Sequence, residues 1–246
     1  MQNFGLNAER FDLLAQVETE HFWFVARREL LIGLLRQHVP QKVPLLLDLG
    51  CGPGLNLSYW REFSDQVMGV DQHLVEPSAS QSDAPNIVKG DVIALPFGPE
   101  SADLMLLLDV LEHVDDRKAL AEAFRVLKPN GALLLSVPAH PWLWGARDAG
   151  ADHLRRYSRR GLRETVEAAG FVISAVHPYQ FLLMPLVILS RVIGKVSSRS
   201  RDMEDRPLPL VNSVLKWINR MEVRASLSLM PMPTGSSYTL LARKPG

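Results

Sequence analysis

Apolar residues recur along this chain in two rhythms, and the change between them marks out its elements. In residues 7–38 they return every three or four positions. Leu13, Leu14 and Val17 fall in one such set, and Leu30, Leu31, Leu34 and Leu35 in another, which predicts two helical pieces. Between them lies HFWFVARR, with three aromatics and two arginines. From Leu45 onward short unbroken apolar runs take over, at 45–49, 67–70, 104–108, 133–137 and 171–176. Stretches with helical spacing lie between several of them, at 55–63, 117–127 and 160–169. Strands apolar on both sides that alternate with helices predict a parallel sheet covered on both faces. KPNG at 128–131 reads as a turn, and Gly170 in AAGF as the residue that ends a helix.

The end of the chain breaks the alternation. Residues 197–210 are charged and contain prolines, which predicts a loop; 211–229 have helical spacing; 236–244 alternate like a final strand. Two apolar segments, 179–196 and 208–232, therefore interrupt the passage from the sixth strand to the last. The division expected is an N-terminal helical cap (1–40), a core (41–178 with 234–246) and a helical insertion or lid (179–233). The most apolar window, YQFLLMPLVILS, has 12 residues, contains Pro185 and runs into Arg191. A spanning helix needs about 20 apolar residues, so no membrane-crossing segment is expected.

Composition narrows the picture modestly. Lys plus Arg and Asp plus Glu number 27 each, so the balance gives no case for a nucleic-acid groove. Cys51 is the single cysteine, which excludes an intramolecular disulfide and fits a reducing compartment. The acids Glu9, Asp12, Glu18 and Glu20 are unlike the basic start of a secretory leader. A cytoplasmic protein is expected, peripheral to the inner face of a membrane if residues 179–232 rest there. Arg191, Lys195, Arg199 and Arg201 would suit anionic headgroups. The alternatives for that segment are a packed helical hairpin or a homodimer contact; monomer and homodimer both stay open.

The chemistry concentrates in VPLLLDLGCGPGLN, residues 43–56. Leu45, Leu46 and Leu47 predict a buried strand, Asp48 ends it, and Gly50, Gly52 and Gly54 follow in alternate positions. Glycine lets backbone approach a ligand closely, and a strand-to-helix turn aims N–H groups at a polar one. Asp71 lies 23 residues after Asp48, at the end of the second apolar run. An acid about 20 residues past a glycine loop is placed to hydrogen-bond a ribose diol. Asp91 follows a short third run in VKGDVIALPF, and Asp109 ends the fourth in ADLMLLLDVLEHVDD.

DLGCGPG, VMGVDQ, VKGDV, DVLEHV and AFRVLKPNGALLLSVP, in this order, resemble the class I S-adenosylmethionine-dependent methyltransferases. The likeness covers roughly residues 45–137 and the flanks loosely. It implies a Rossmann-like α/β fold: seven strands, mostly parallel, helices on both faces, plus N-terminal helices and a C-terminal helical insertion. It implies S-adenosyl-L-methionine as cofactor and S-adenosyl-L-homocysteine as product. The donor would lie against Asp48, Gly50, Cys51, Gly52, Gly54 and Asn56, with Asp71 and Gln72 at the ribose. Asp91 would receive the adenine amine, Val92 pack on the ring, and Asp109 and Val110 line the methionine end. Arg27 would approach the donor's carboxylate if the N-terminal helix caps it; otherwise the HFWF aromatics simply dock that helix on the core. The HFWF lead and the HLRRYS loop resemble a bacterial-like subgroup.

The cofactor carries the hard chemistry, so the catalytic residue is the hardest to read. A base is needed only for an acceptor that is protonated at neutral pH. His113, His140 and His153 are the candidates, and His113 has a packed structural role as its alternative. PAHPWLWGARDAGADHLRRYS supplies Trp144, Arg156 and Tyr157 as candidate walls of the acceptor pocket. Asp109, Glu112 and His113 are similar in arrangement to some metal-assisted relatives, but the same Glu-His occurs in the family without metal, and no metal is expected. The expected activity is methyl transfer to a small or lipid-like acceptor, at oxygen, by in-line displacement at the carboxyl edge of the sheet. The alternatives are a non-catalytic cofactor-binding partner subunit and a dinucleotide-dependent oxidoreductase, whose G-x-G-x-x-G spacing the loop lacks.

Overall fold

The computed structural model describes residues 18–73, 86–194, 207–228 and 231–246. The predicted helical piece at Leu13, Leu14 and Val17, and most of the predicted loop at 197–210, lie outside these residues. In chain order the elements begin with α1 (Phe22–His38), β1 (Val43–Leu49), α2 (Leu57–Trp60), β2 (Ser64–Asp71), β3 (Ile87–Lys89) and β4 (Ala102–Leu108). They continue with α3 (Asp116–Val126), β5 (Leu127–Pro138), α4 (Ala146–Gly150), α5 (Arg159–Ala168), β6 (Val172–Tyr179), α6 (Met184–Gly194), α7 (Pro209–Ser228) and β7 (Ser237–Arg243). One seven-stranded sheet has the order β3-β2-β1-β4-β5-β7-β6. β1 pairs in parallel with β2 and β4, β2 with β3, and β4 with β5. β7 runs against β5, since Lys244 bonds to Gly131 at one end and Ser236 to Ala139 at the other. The expected Rossmann-like sheet is what forms.

The unbroken apolar runs have a direct cause. Leu46, Leu47 and Leu49 of β1 and Leu104 to Leu107 of β4 are fully buried, so successive side chains find cover on opposite faces. Each such leucine contributes about 1.5–3 kcal/mol by leaving water. α3 turns Ala119, Leu120, Ala123 and Val126 inward, and Asp115 caps its first turn by accepting the Lys118 N–H at 3.2 Å.

Two predicted elements differ in shape. The helix expected over 55–63 is one turn, Leu57–Trp60, because its end tightens. There the Phe63 N–H bonds to the Trp60 carbonyl at 2.9 Å, and the chain swings straight into β2. KPNG is no free turn but an irregular start to β5. Ala102 pairs with Leu127 while Leu104 pairs with Ala132, so extra residues bulge from the β5 side, with Asn130 at φ +64°. Gly170 ends α5 as expected, at φ +97°.

The chain divides into two compact units. One comprises Met1–His38, Pro138–Arg159 and Val176–Thr239; the other comprises Val39–Val137, Arg160–Ala175 and Leu240–Gly246. In the first, α1 and α7 lie side by side and parallel. The Phe22 N–H reaches Asn212 Oδ1 at 2.8 Å, Arg220 bridges to Glu29 at 2.6 Å, and Gln37 Nε2 reaches the Leu227 carbonyl at 2.9 Å. The HFWF lead is therefore held by α7: Asn212 Nδ2 also bonds to the Glu20 carbonyl, and the Tyr179 hydroxyl donates to the Trp23 carbonyl at 2.9 Å. No helix among the described residues is long and apolar enough to cross a membrane.

Candidate active site

Four strand ends build the site in the second unit. At the end of β1, Asp48 is buried, and its carboxylate accepts the Trp60 indole N–H at 2.8 Å. That bond ties α2 back to the strand and fixes the two ends of the loop between them. Within the loop Gly50, Gly52 and Gly54 take φ of +71°, +56° and +76°, where side chains are strained. Gly50 has a second constraint: a Cβ there would stand 2.5 Å from Val110 Cγ2. The loop is pinned to β2, since the Gly50 N–H donates to the Val70 carbonyl at 2.7 Å and the Gly52 N–H to Asp71 Oδ2 at 2.8 Å. Cys51 points its sulfur toward Gly69, where a Cβ would lie 2.5 Å away.

Asp71, half-buried at the end of β2, uses its other oxygen to accept the His73 N–H at 2.9 Å. It is thus a brace for the glycine loop before any ligand is considered. Gln72 beside it is exposed. After β3, Asp91 turns the chain by accepting the Ile93 N–H at 3.0 Å, which sends Val92 into a buried position. After β4, Asp109 sits at φ +58° and is held twice by β5. Its N–H donates to the Ser136 carbonyl at 2.9 Å, and the Ser136 hydroxyl donates to its carboxylate at 3.1 Å. Val110 follows, buried against Gly50. Glu112, fully buried, and half-buried His113 occupy the tight turn Leu111–His113.

Asp48, Asp71, Asp91 and Asp109 are thus gathered with the glycine loop at the carboxyl ends of parallel strands, where open α/β sheets bind ligands. The side-chain-free backbone of the glycine loop, a ribose-spaced acid and the buried apolar surface of Val92 and Val110 fit an adenosyl amino-acid donor in kind. Sequence spacing located every acid. It missed Trp60 and Ser136, which hold Asp48 and Asp109. Trp60 sits one helical turn beyond the loop and left a faint signal; Ser136 left none.

The first unit carries the histidine-rich segment. His140 adopts φ +60°, and its Nε2 meets the Thr234 hydroxyl at 2.7 Å and the Tyr238 hydroxyl at 3.3 Å. Burial, with the positive Arg156 as a smaller cause, lowers its pKa from the ordinary 6.5, so the ring is neutral at pH 7. Asp148, 1% exposed, organises the rest of the segment. Its carboxylate receives Arg156 Nε at 2.7 Å, the Gly145 N–H at 2.8 Å and His153 Nδ1 at 3.1 Å. Burial alone would raise its pKa, but the His153 hydrogen bond, the Arg156 charge and the Gly145 N–H outweigh it and bring it to about 2.

Arg156 also donates to the Ala139 carbonyl at 2.8 Å, so its guanidinium is committed to the loop's own frame. Tyr157 is buried, and its backbone bonds to Pro138 and His140. Trp144 is 41% exposed. Arg27 is buried on α1 with its guanidinium 4.6 Å from the Trp23 ring centre.

Fold and loop together are those of a nucleotide-type α/β domain, in which a ligand would sit on the glycine turn after β1. Comparison with known proteins makes this specific. A family described as a methyltransferase domain matches residues 47–135. The malonyl-[acyl-carrier protein] O-methyltransferase of Pseudescherichia vulneris is 30% identical over 174 residues, 67% of this chain and 66% of that protein. A ubiquinone biosynthesis O-methyltransferase of Bartonella quintana is 29% identical over 127 residues, 48% of this chain and 51% of that protein. The chain thus spans less than two thirds of these curated relatives. Among solved structures, the Haemonchus contortus phosphoethanolamine N-methyltransferase 2 complexed with S-adenosyl-L-methionine superposes with a TM-score of 0.57. Identity there is 19%, over 89% of this chain and 52% of that one, a likeness of fold. Residues 47–135 are thus similar to a methyltransferase domain, and the chain is similar to S-adenosylmethionine-dependent methyltransferases within a Rossmann-like fold.

Proposed function

We propose that this protein transfers a methyl group from S-adenosyl-L-methionine to an oxygen of a small or lipid-like acceptor by in-line displacement. The observation that carries the reading is the Gly52 N–H on the Asp71 carboxylate, which locks a positive-φ glycine turn to the acid at the end of β2. The bound donor would supply an electrophilic methyl on a sulfonium. Asp71 and the loop would hold its adenosine half, Asp91 and Val92 the base, and Asp109 the amino-acid half. Orientation of this kind is worth up to about 7–11 kcal/mol of barrier in favourable cases. An acceptor oxygen would take the methyl as the sulfur–methyl bond breaks to a thioether; a hydroxyl acceptor would pass its proton to a base, and a carboxylate would need none.

Oxygen as the acceptor atom is supported by the two O-methyltransferase names among the relatives. It also accords with His140, a ring kept neutral and able to accept a proton. The test uses donor labelled in its methyl group and an extract of acceptor metabolites. Labelled product that releases methanol in alkali identifies a methyl ester, and alkali-stable neutral product an ether; label found on nitrogen overturns the oxygen assignment. His140→Gln should lower kcat about 10²–10⁴-fold, the range for a general base, while S-adenosyl-L-homocysteine binds as before. In the wild type the base-limb of the rate should lie below pH 6.5, because His140 loses its proton more readily than a free histidine. No heat on titrating the natively folded protein with donor or product removes the whole reading.

A further inference from the structure

α7 is built inside out. Its buried residues are Asn219, Glu222, Val223 and Ser226, three of them polar. Asn219 Nδ2 donates to the Tyr179 hydroxyl at 3.0 Å, and Glu222 accepts the N–H groups of Phe181 and Leu182 at 2.9 and 2.8 Å. Ser226 lies 3.3 Å from His177 Nδ1. The opposite side of the helix, at the i, i+4, i+7, i+11 spacing of a single stripe, carries Leu210, Val214, Trp217 and Met221, between 44% and 77% exposed. An ordinary surface helix has these faces reversed. The segment leading into α6, and α6 itself, repeat the theme with Leu182, Leu186 and Leu189, each at least half exposed. A stripe of exposed apolar side chains along one face of a helix marks a site of interaction.

Charge identifies the occupant. Lys216, Arg220 and Arg224 flank the stripe, while the one acid in α7, Glu222, is 2% exposed and turned inward. Arg220 pairs with Glu29; Lys216 and Arg224 form no ion pair among the described residues. An apolar strip centred on tryptophan and edged by cations is the pattern of a helix lying in the plane of an anionic lipid interface. A second copy of this face would bring a second Lys216 and Arg224 to it, and Glu29, the acid beside them, is already paired with Arg220. We propose that α7, with the start of α6, docks this protein on an anionic membrane surface, Trp217 and its neighbours entering the headgroup boundary. The docking is independent of the methyl-transfer reading.

The experiment is co-sedimentation of the full chain with vesicles of phosphatidylglycerol mixed with phosphatidylcholine, against phosphatidylcholine alone. The wild type should bind the anionic vesicles at least tenfold more tightly, and added salt should weaken that binding. Val214→Glu with Trp217→Glu should cut it at least tenfold. Lys216→Glu with Arg224→Glu should cut it by roughly tenfold or more, on the scale of about 1 kcal/mol per basic residue near an anionic surface. All four side chains are solvent-facing or half-exposed, and circular dichroism spectra and melting curves like those of wild type report that the variants are folded. Wild type left in the supernatant with anionic vesicles overturns the proposal, as do variants that sediment like wild type. So does a wild-type dimer in analytical ultracentrifugation that the Val214/Trp217 variant dissolves, since a second copy then covers the face.

Discussion

Asp71 shows how a residue's place at a strand end can be legible in the sequence while its bonding is not. Its distance from the glycine loop marks it as a ribose acid, yet each of its oxygens already accepts a backbone N–H, one of them from the loop itself. Two roles then separate by substitution. Asp71→Asn keeps an amide oxygen for one of these N–H groups and loses the charge-assisted acceptor pair. It should weaken S-adenosyl-L-homocysteine binding by about 1.5–3 kcal/mol, the scale of a hydrogen bond to a charged group. Asp71→Ala should cost more, because the Gly52 N–H loses its anchor and the turn loosens as well. Calorimetric affinities ordered wild type, Asn, Ala are expected; an alanine variant that binds like wild type would strip Asp71 of both roles.

At the scale of elements, the segment from Gly145 to Tyr157 reads in sequence as part of a long irregular stretch walling the acceptor pocket, and the structure gives it an internal frame. Asp148 gathers Arg156, His153 and the Gly145 N–H, and Arg156 passes the connection on to the Ala139 carbonyl beside His140. The carboxyl's pKa falls from 3.8 to about 2 in the folded protein. A carboxyl depressed on folding stabilises the protein above its unfolded pKa and loses that contribution as pH falls through the folded value. The segment should therefore lose about 2 kcal/mol between roughly pH 4 and pH 2. Urea midpoints measured across that window should fall in wild type and stay flatter in Asp148→Asn. The variant itself should be about 3–5 kcal/mol less stable at pH 7, because it leaves Arg156 buried without its counter-charge.

At the scale of the molecule, the residues proposed to hold the donor, from Asp48 to Val110, belong to the unit made of Val39–Val137, Arg160–Ala175 and Leu240–Gly246. A ligand that binds only the folded form stabilises it by mass action. At a free concentration one hundred times its Kd, S-adenosyl-L-homocysteine should add about 2.7 kcal/mol to that unit. For a chain of this length the melting temperature should then rise by roughly 5–10 °C in a thermal scan. Adenosine alone should give a smaller rise, since it reaches the Asp71 and Asp91 ends of the site and leaves the Asp109 end empty. No shift with either compound would separate the family fold from cofactor binding in this chain.

The sequence by itself determined the parallel sheet and the donor loop. Both are local properties: unbroken apolar runs need burial on two faces, and alternate glycines after an acid specify a backbone path that other residues resist. Even there, 55–63 shortened to one turn and KPNG joined β5, because how an element ends depends on what its neighbours demand. Only the tertiary structure decided the surroundings of His140, whose hydroxyl partners Thr234 and Tyr238 stand 94 and 98 residues away. It alone showed which side of α7 is inside. The helical spacing of 211–229 leaves membrane surface, packed hairpin and homodimer contact all open for its apolar side, but Tyr179, Phe181 and Leu182 offer polar groups that take partners from this helix. Asn219 and Glu222 answer them, and the apolar side of the helix is left to face outward.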